Sequence, residues 1–457
     1  MAALPSIPTQ LLENGTVQQL TKFLLGVAIF YLSLRSLWRL YFQPLSKFPG
    51  PKLAAVSDIW YAYQLLTGRG PCALEEALKK YGNVVRIAPN ELLFVTPQAM
   101  ADIYGSHNKY VELFPKTQIN NHGNDEHGGL IWEWDPIRHR QVAKQISPAF
   151  SGRALKAKEA TLHKYVDIFV ERMREFGGGP EGASLPKWTD WLCVDISADM
   201  AYNREMDALK NMQSPPYLDL LAGFSKQLIP KDREPPKDPK EMRHLEQVAG
   251  QLLAAGYEAP ALWFYATIYH LLDRPAALET LTEEIRTAFT SYDEITASRA
   301  AELPYLTACL KESLRMVPTV LTGMPCVSPG AMVDGTWIPA GVVCQSSPFS
   351  MQRNPQNFHD PLNFRPERWL SADHKLYNPA VDSDARKDFL PFSQGPRMCT
   401  GREIAWWQSR VFLGKVLWAF DLQLVPGKKV DLDKELKEWG IFAKPAFSVR
   451  FVPVLRE

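Results

Sequence analysis

Cysteine is scarce in this chain: six residues in 457, scattered at Cys72, Cys193, Cys309, Cys326, Cys344 and Cys399. So thin a spread rules out the disulfide framework of a small secreted domain and fits a reducing, cytosol-facing compartment. None of the other five lies within Cys-x-x-Cys spacing of Cys399, which removes the four-ligand structural zinc site there. Excess charge of either sign is missing too. Lys and Arg total 51 against 50 Asp and Glu, a net charge of +1, so no global charge draws the chain to nucleic acid. No internal repeat is present, and long apolar runs are confined to one stretch near the N-terminus. What the chain does have is proline (36 residues), tryptophan (13) and a 46% hydrophobic content. That is enough to fill a large core in one big domain or two ordinary ones.

The stretch Phe392-Ser393-Gln394-Gly395-Pro396-Arg397-Met398-Cys399-Thr400-Gly401 presents one thiol from a glycine-hinged loop that runs into a helix. Gly395 and Gly401 allow tight turns and close backbone approach. Phe392 offers an apolar wall, and Arg397 a cation for an anionic group beside the thiol. A haem iron needs only one protein ligand, and a thiolate pushes electron density toward O–O cleavage. The competing reading is a buried structural cysteine near a helix start.

Residues 23–34 are apolar, and the span Val17–Phe42 is interrupted only by Lys22, Arg35 and Arg39 near its ends, where long cationic side chains can snorkel. A cleaved signal peptide is the rival. No small-x-small site follows it, and Arg35, Trp38, Arg39 and Tyr41 form an interfacial belt with positive charge on the cytosolic side. The expected organisation is an N-terminal tail at 1–19, a transmembrane anchor at 20–42, a proline-rich hinge at 43–52 and a catalytic domain at 53–457.

Beyond the hinge Lys47-Phe48-Pro49-Gly50-Pro51, periodicity predicts helices over 53–66 and 71–81 and a hairpin of 84–87 with 92–95. A long helix over 155–176 is expected to stop at Gly177, with another over 186–202. The polar run His122–His127 reads as a surface loop and 231–241 as a solvated connector. Residues 246–272 form a long helical pattern in which Pro260 removes a donor opposite the Gly256 carbonyl, so a bend is expected in Ala255-Gly256-Tyr257-Glu258-Ala259-Pro260. Glu312 and Arg315 share a helix face, and an arginine from Phe364-Arg365-Pro366-Glu367-Arg368-Trp369 can complete a network with them. A small hairpin is expected over 333–344, and a helix over 402–417.

These landmarks, in this order and over nearly the entire chain, resemble the cytochrome P-450 family: anchor and proline hinge, Ala-Gly-x-Glu, Glu-x-x-Arg, Pro-Glu-Arg-Trp, and the Phe-x-x-Gly-x-Arg-x-Cys-x-Gly loop. The flavour is that of the microsomal, fungal branch of secondary metabolism. The resemblance implies a mainly α fold with small β-sheets behind an N-terminal anchor, on the endoplasmic reticulum membrane with the catalytic domain facing the cytosol. It implies haem b on an axial Cys399 thiolate, with Arg397 and His139 toward the propionates and Phe392, Gly395 and Gly401 shaping the loop. Glu312, Arg315 and Arg368 would lock the fold behind it, and Gly256 and Glu258 would belong to the oxygen-handling helix. Electrons would come from NADPH through a cytochrome reductase, and the substrate would be a small apolar molecule.

Three departures stand against the family pattern. Ala259 and Pro260 occupy positions where hydroxyl residues are usual. Ala143 and Cys326 replace cations that commonly meet the propionates, leaving them to Arg397, His139 and nearby Lys144. The segment from Asp195 to Ala255 is short where the family carries the roof of its pocket. At this level a haem-thiolate isomerase, dehydratase or peroxide-using enzyme, and a catalytically impaired relative, both stay open as alternatives.

Overall fold

The computed structural model describes residues 14–108, 111–118, 129–215, 238–427, 430–438 and 442–455. The polar run at 122–127 and residues 231–237 of the expected connector lie outside them.

Apolar residues with few charges among them make the first helix, α1 (Asn14–Tyr41). Its stretch Val17–Tyr41 is 25 residues long, none of it buried, or about 38 Å at the α-helical rise, against a hydrocarbon thickness of roughly 30 Å. The chain then turns through Pro44–Lys47. Gly50 packs so closely on the Arg86 carbonyl that a Cβ would stand 2.3 Å from its oxygen. Arg86, itself buried, donates 2.8 Å to the Arg39 carbonyl at the end of α1 and 2.7 Å to the Pro89 carbonyl. One side chain thus caps the helix C-terminus and ties it to the globule.

The helix expected over 53–66 is two, α2 (Lys52–Val56) and α3 (Ile59–Leu66), because Ser57 is fully extended and its hydroxyl accepts the Ile59 N–H. Helix α3 buries none of its residues and exposes Ile59, Tyr63 and Leu66. Next come α4 (Gly70–Tyr81), the hairpin β1 (Val84–Ala88) with β2 (Glu91–Phe94), and α5 (Pro97–Tyr104), whose Thr96 cap accepts from Ala99. Helix α6 (Pro136–Ile146) starts at Asp135, whose carboxylate takes the Ile137 and Arg138 N–H groups.

The long helix expected over 155–176 is interrupted at Lys158, giving α7 (Gly152–Ala157) and α8 (Glu159–Phe176). At the break the Lys158 ammonium turns to the Met200 carbonyl of α9 (Leu185–Tyr202). The described chain resumes at Asp238, which caps α10 (Pro239–Asp273), so the last part of the expected connector is helix. The 35 residues of α10 run as one helix through Pro260.

Helix α11 (Pro304–Met316) follows, then β3 (Cys326–Val327) and β4 (Val343–Ser346), and α12 (Arg402–Ala419) leads out of the cysteine loop. The expected 333–344 hairpin is smaller: Ala331–Val333 pairs with Thr336–Ile338 across Asp334 and Gly335, both at positive φ. Val343 and Cys344 instead join the four-stranded sheet, in the order β1-β2-β4-β3, parallel to β2 and antiparallel to β3. A second sheet pairs β5 (Phe420–Leu424) with β6 (Ser448–Pro453).

The larger core gathers α8 to α12, with Trp263, Phe264, Phe169 and Phe412 buried at its centre. A smaller core joins α4 and α5 to the four-stranded sheet. The cysteine loop lies where the two meet.

Candidate active site

Two elements aim the cysteine loop. Gly395 has φ +69°, and a Cβ there would stand 2.2 Å from the Tyr104 carbonyl oxygen, so only glycine fits against the last turn of α5. The Gln394 amide donates to the Met100 carbonyl at 3.1 Å, a second tie to the same helix. Within the loop the Cys399 N–H donates 2.9 Å to the Phe392 carbonyl. Gly401 corrects the reading from sequence. Its φ is −82°, and an added Cβ would make ordinary contacts with Ile404 at 3.6 Å and the Cys399 sulfur at 3.9 Å. Its backbone therefore does not require glycine.

Cys399 is the one exposed thiol of the six; Cys193, Cys309, Cys326 and Cys344 are buried and Cys72 is half-buried. Its surface is open, yet protein walls it further out, and that burial pushes its pKa above the usual thiol value. The Gly401 N–H and the Arg402 charge oppose the shift.

Across from the loop stands α10. Trp263 meets Phe392 edge-on at 6.2 Å and Trp406 at 5.0 Å, and its indole N–H donates 3.0 Å to the Leu310 carbonyl. One and two turns earlier on the same face lie Ala259 and Ala255. Ala255 is exposed and Ala259 half-buried. Both are small side chains on the helix that packs on the loop through Trp263. Gly256 points elsewhere: a Cβ would lie 2.3 Å from the Ser197 hydroxyl oxygen, so this glycine serves the packing of α10 on α9. Glu258 is half-buried on the same helix.

At one edge of the loop the basic groups gather. Arg397 donates to the Glu133 carbonyl at 2.7 Å, His139 on α6 is buried, and burial followed by the Arg397 and Lys116 charges drives its imidazole pKa down to about 3. Lys116 is a member of this group that the sequence reading missed: it is buried and donates to the Ile131 carbonyl. The only signal for it was a lone lysine in Phe114-Pro115-Lys116-Thr117. Lys144, expected nearby, is exposed, and Ala143 is half-buried.

Behind the loop, Glu312 is wholly buried and accepts five donors. Arg315 gives two bonds at 2.9 Å, Arg368 Nε one at 3.0 Å, and the Arg365 N–H and Trp369 indole one each at 2.9 Å. Burial raises its pKa, but the two arginines outweigh this and hold it below the ordinary carboxylate range. Arg368 also pairs with Asp384, a carboxylate absent from the sequence reading. Two buried carboxylates and two buried guanidinium groups therefore balance. Arg386 donates 3.0 Å to the Arg368 carbonyl, carrying the network into the segment that leads to Phe392.

An accessible thiol on a fixed loop with cations at its edge suits a metal-bearing group that carries carboxylates. Among the described residues no cluster of three or more His, Cys, Asp or Glu is arranged to hold a metal ion by itself.

Comparison with known proteins agrees with this architecture. The cytochrome P450 family model matches residues 49–237 and 224–448, two pieces that overlap in the segment noted above as short. The cytochrome P450 monooxygenase TwmD of Talaromyces wortmannii is 61% identical over 496 aligned positions, covering 96% of this chain and 97% of the relative. Those positions outnumber the chain's 457 residues, so the relative has stretches this chain lacks. The cytochrome P450 monooxygenase BOA3 of Botryotinia fuckeliana is 32% identical over 94% of this chain and 95% of its own length. The trichothecene C-4 hydroxylase of Trichoderma arundinaceum is 31% identical over 89% and 92%. With the family model and these full-length relatives in agreement, the chain belongs to the cytochrome P450 family.

Proposed function

We propose that this chain is a membrane-anchored haem-thiolate monooxygenase that oxidises a small apolar molecule in a secondary-metabolite pathway. The observation that carries the reading is the Cys399 loop: one accessible thiol, clamped on α5 at Gly395 and packed through Phe392 against Trp263 of α10. The relatives' names support the reaction class, two being cytochrome P450 monooxygenases and one a trichothecene C-4 hydroxylase. By the same reading the group is haem b, its electrons come from NADPH through a reductase on the same membrane, and α1 anchors the chain in the endoplasmic reticulum.

In this arrangement Cys399 would hold the haem iron as a thiolate, and metal coordination would override the raised thiol pKa. When bound, the haem supplies activation of dioxygen and insertion of one oxygen atom into a C–H bond. Arg397 and His139 would hold the carboxylate edge. Trp263, Phe392 and Trp406 pack on one another as an apolar wall between the loop and α10. Glu258 is the acidic residue beside Ala259, and neither Ala259 nor Pro260 carries a hydroxyl. Protons therefore reach the oxygen side over ordered water or a substrate hydroxyl. That same lack favours a second reading, a haem-thiolate enzyme working without external electrons.

The test is the carbon monoxide difference spectrum of the reduced, membrane-expressed chain, followed by product formation with and without NADPH and reductase. A thiolate-type Soret band with NADPH-dependent product supports the monooxygenase. Product that forms without NADPH favours the second reading, and a chain without haem overturns both.

A further inference from the structure

We propose that Gln251 is a positioning residue for ligand selectivity: it ties the strap 129–134 to α10 and so fixes the apolar side chains of Leu130 and Ile131 where a bulky small-molecule ligand meets them. This rests on the haem reading above.

One side-chain oxygen makes the tie. Gln251 is 5% exposed and sits one turn before Ala255 on α10, and its Oε1 accepts the Leu130 N–H at 2.8 Å and the Ile131 N–H at 2.6 Å. Gly129 turns the chain just before these two donors at φ +71°, and a Cβ there would stand 2.6 Å from the Gln251 Nε2, so the approach requires glycine. Further along, the strap is tied to the cysteine loop. The Glu133 carbonyl accepts from Arg397 at 2.7 Å and the Trp134 carbonyl from the same guanidinium at 3.5 Å.

These contacts close a circuit. From Gln251 it follows α10 to Trp263, about 18 Å at the α-helical rise. It then crosses to Phe392, follows the loop to Arg397, crosses to Glu133 and returns along the strap to Leu130. Ala255 on the circuit and Cys399, two residues beyond Arg397, are both exposed. Leu130 and Ile131 are half-buried, so the strap keeps apolar surface uncovered beside them. The strap has no helix or strand of its own before α6, and a segment of that kind is held by its ties. Fixing it in advance spares a ligand the cost of ordering it.

The test uses the full-length holoprotein and two probes, imidazole and 4-phenylimidazole, whose ring nitrogen binds haem iron and shifts its Soret band. The second adds an apolar ring. Gln251→Leu removes the acceptor and is expected to weaken 4-phenylimidazole about fivefold or more while imidazole stays within about twofold of parental. Gln251→Glu keeps an oxygen for both N–H groups and is expected to restore the parental ratio of the two dissociation constants. Gly129→Ala strikes the same tie from the strap side and is expected to show the same selective loss; it decides the matter if Gln251→Leu yields no holoprotein. A parental ratio in these two variants, or equal weakening of both probes, would reduce Gln251 to a packing residue and overturn the proposal. Tighter 4-phenylimidazole binding would make the strap a barrier rather than a contact and overturn it as well, as would a Gln251→Glu that loses as much as Gln251→Leu. A parental chain that holds no haem overturns the reading beneath it, whereas haem with an unmoved ratio overturns only this proposal.

Discussion

Arg368 and Asp384 form a fully buried ion pair, and the same guanidinium bonds to Glu312 at 3.0 Å, so one arginine joins the Glu312–Arg315 pair on α11 to the segment before the cysteine loop. Its other donors reach the His359 carbonyl at 3.1 Å. Removing one partner strands a charge in the core. Asp384→Asn is expected to destabilise the chain by about 3–5 kcal/mol, read from urea unfolding in detergent. A loss below about 1 kcal/mol would mean that Arg368 is satisfied without it.

The two loop glycines are expected to behave differently. Gly395→Ala sets a Cβ 2.2 Å from the Tyr104 carbonyl at φ +69°, costing at least about 2 kcal/mol and displacing the loop. Gly401→Ala meets only ordinary contacts and is expected to cost about 1 kcal/mol or less. Thermal unfolding of both variants checks this, and equal losses would contradict the geometry.

In the proposed reading ligation rests on the Cys399 sulfur. Cys399→Ala is expected to abolish the thiolate-type carbon monoxide spectrum while far-UV circular dichroism stays unchanged. Retention of the spectrum would assign the ligand elsewhere.

Proton delivery is the weak point of α10. Ala259→Thr adds a hydroxyl on the face that carries Ala255 and Trp263 and is expected to lower peroxide released per NADPH consumed by about twofold or more. An unchanged ratio would show that position 259 does not limit it.

Acid stability is expected to depend on His270, buried and stacked on Phe364 at 5.2 Å. Burial holds its imidazole down to about 4, against a pull upward from Glu312, Asp273 and Asp433 and a push downward from Arg315. The folded value lies below the unfolded 6.5, so the neutral ring's contribution is complete above pH 6.5 and is lost as pH falls toward 4. The loss is up to about 3 kcal/mol. His270→Phe is expected to flatten the pH dependence of the melting temperature in that window, and an unchanged slope would place the acid sensitivity in other groups.

Much of this was legible in the chain because it is local. The anchor is a run of apolar residues, the cysteine loop a dense string of residues with distinct chemistry, and Glu312 and Arg315 share a face through helix geometry alone. Period and spacing also place α4, α9 and the β1–β2 hairpin. Breaks were less visible: Ser57 divides α2 from α3 through its own extended backbone, and Lys158 divides α7 from α8 where it turns to Met200.

What the tertiary structure decided is which distant residues meet. Asp384 finds Arg368, Lys116 finds the strand of Cys326, and Gly256 proves to serve Ser197, because each pairing depends on the path of the chain between its partners. Sequence determined the parts whose physics acts within one turn or one loop. Folding determined the rest, since a buried charge or a missing Cβ has meaning only against the neighbour that packing brings to it.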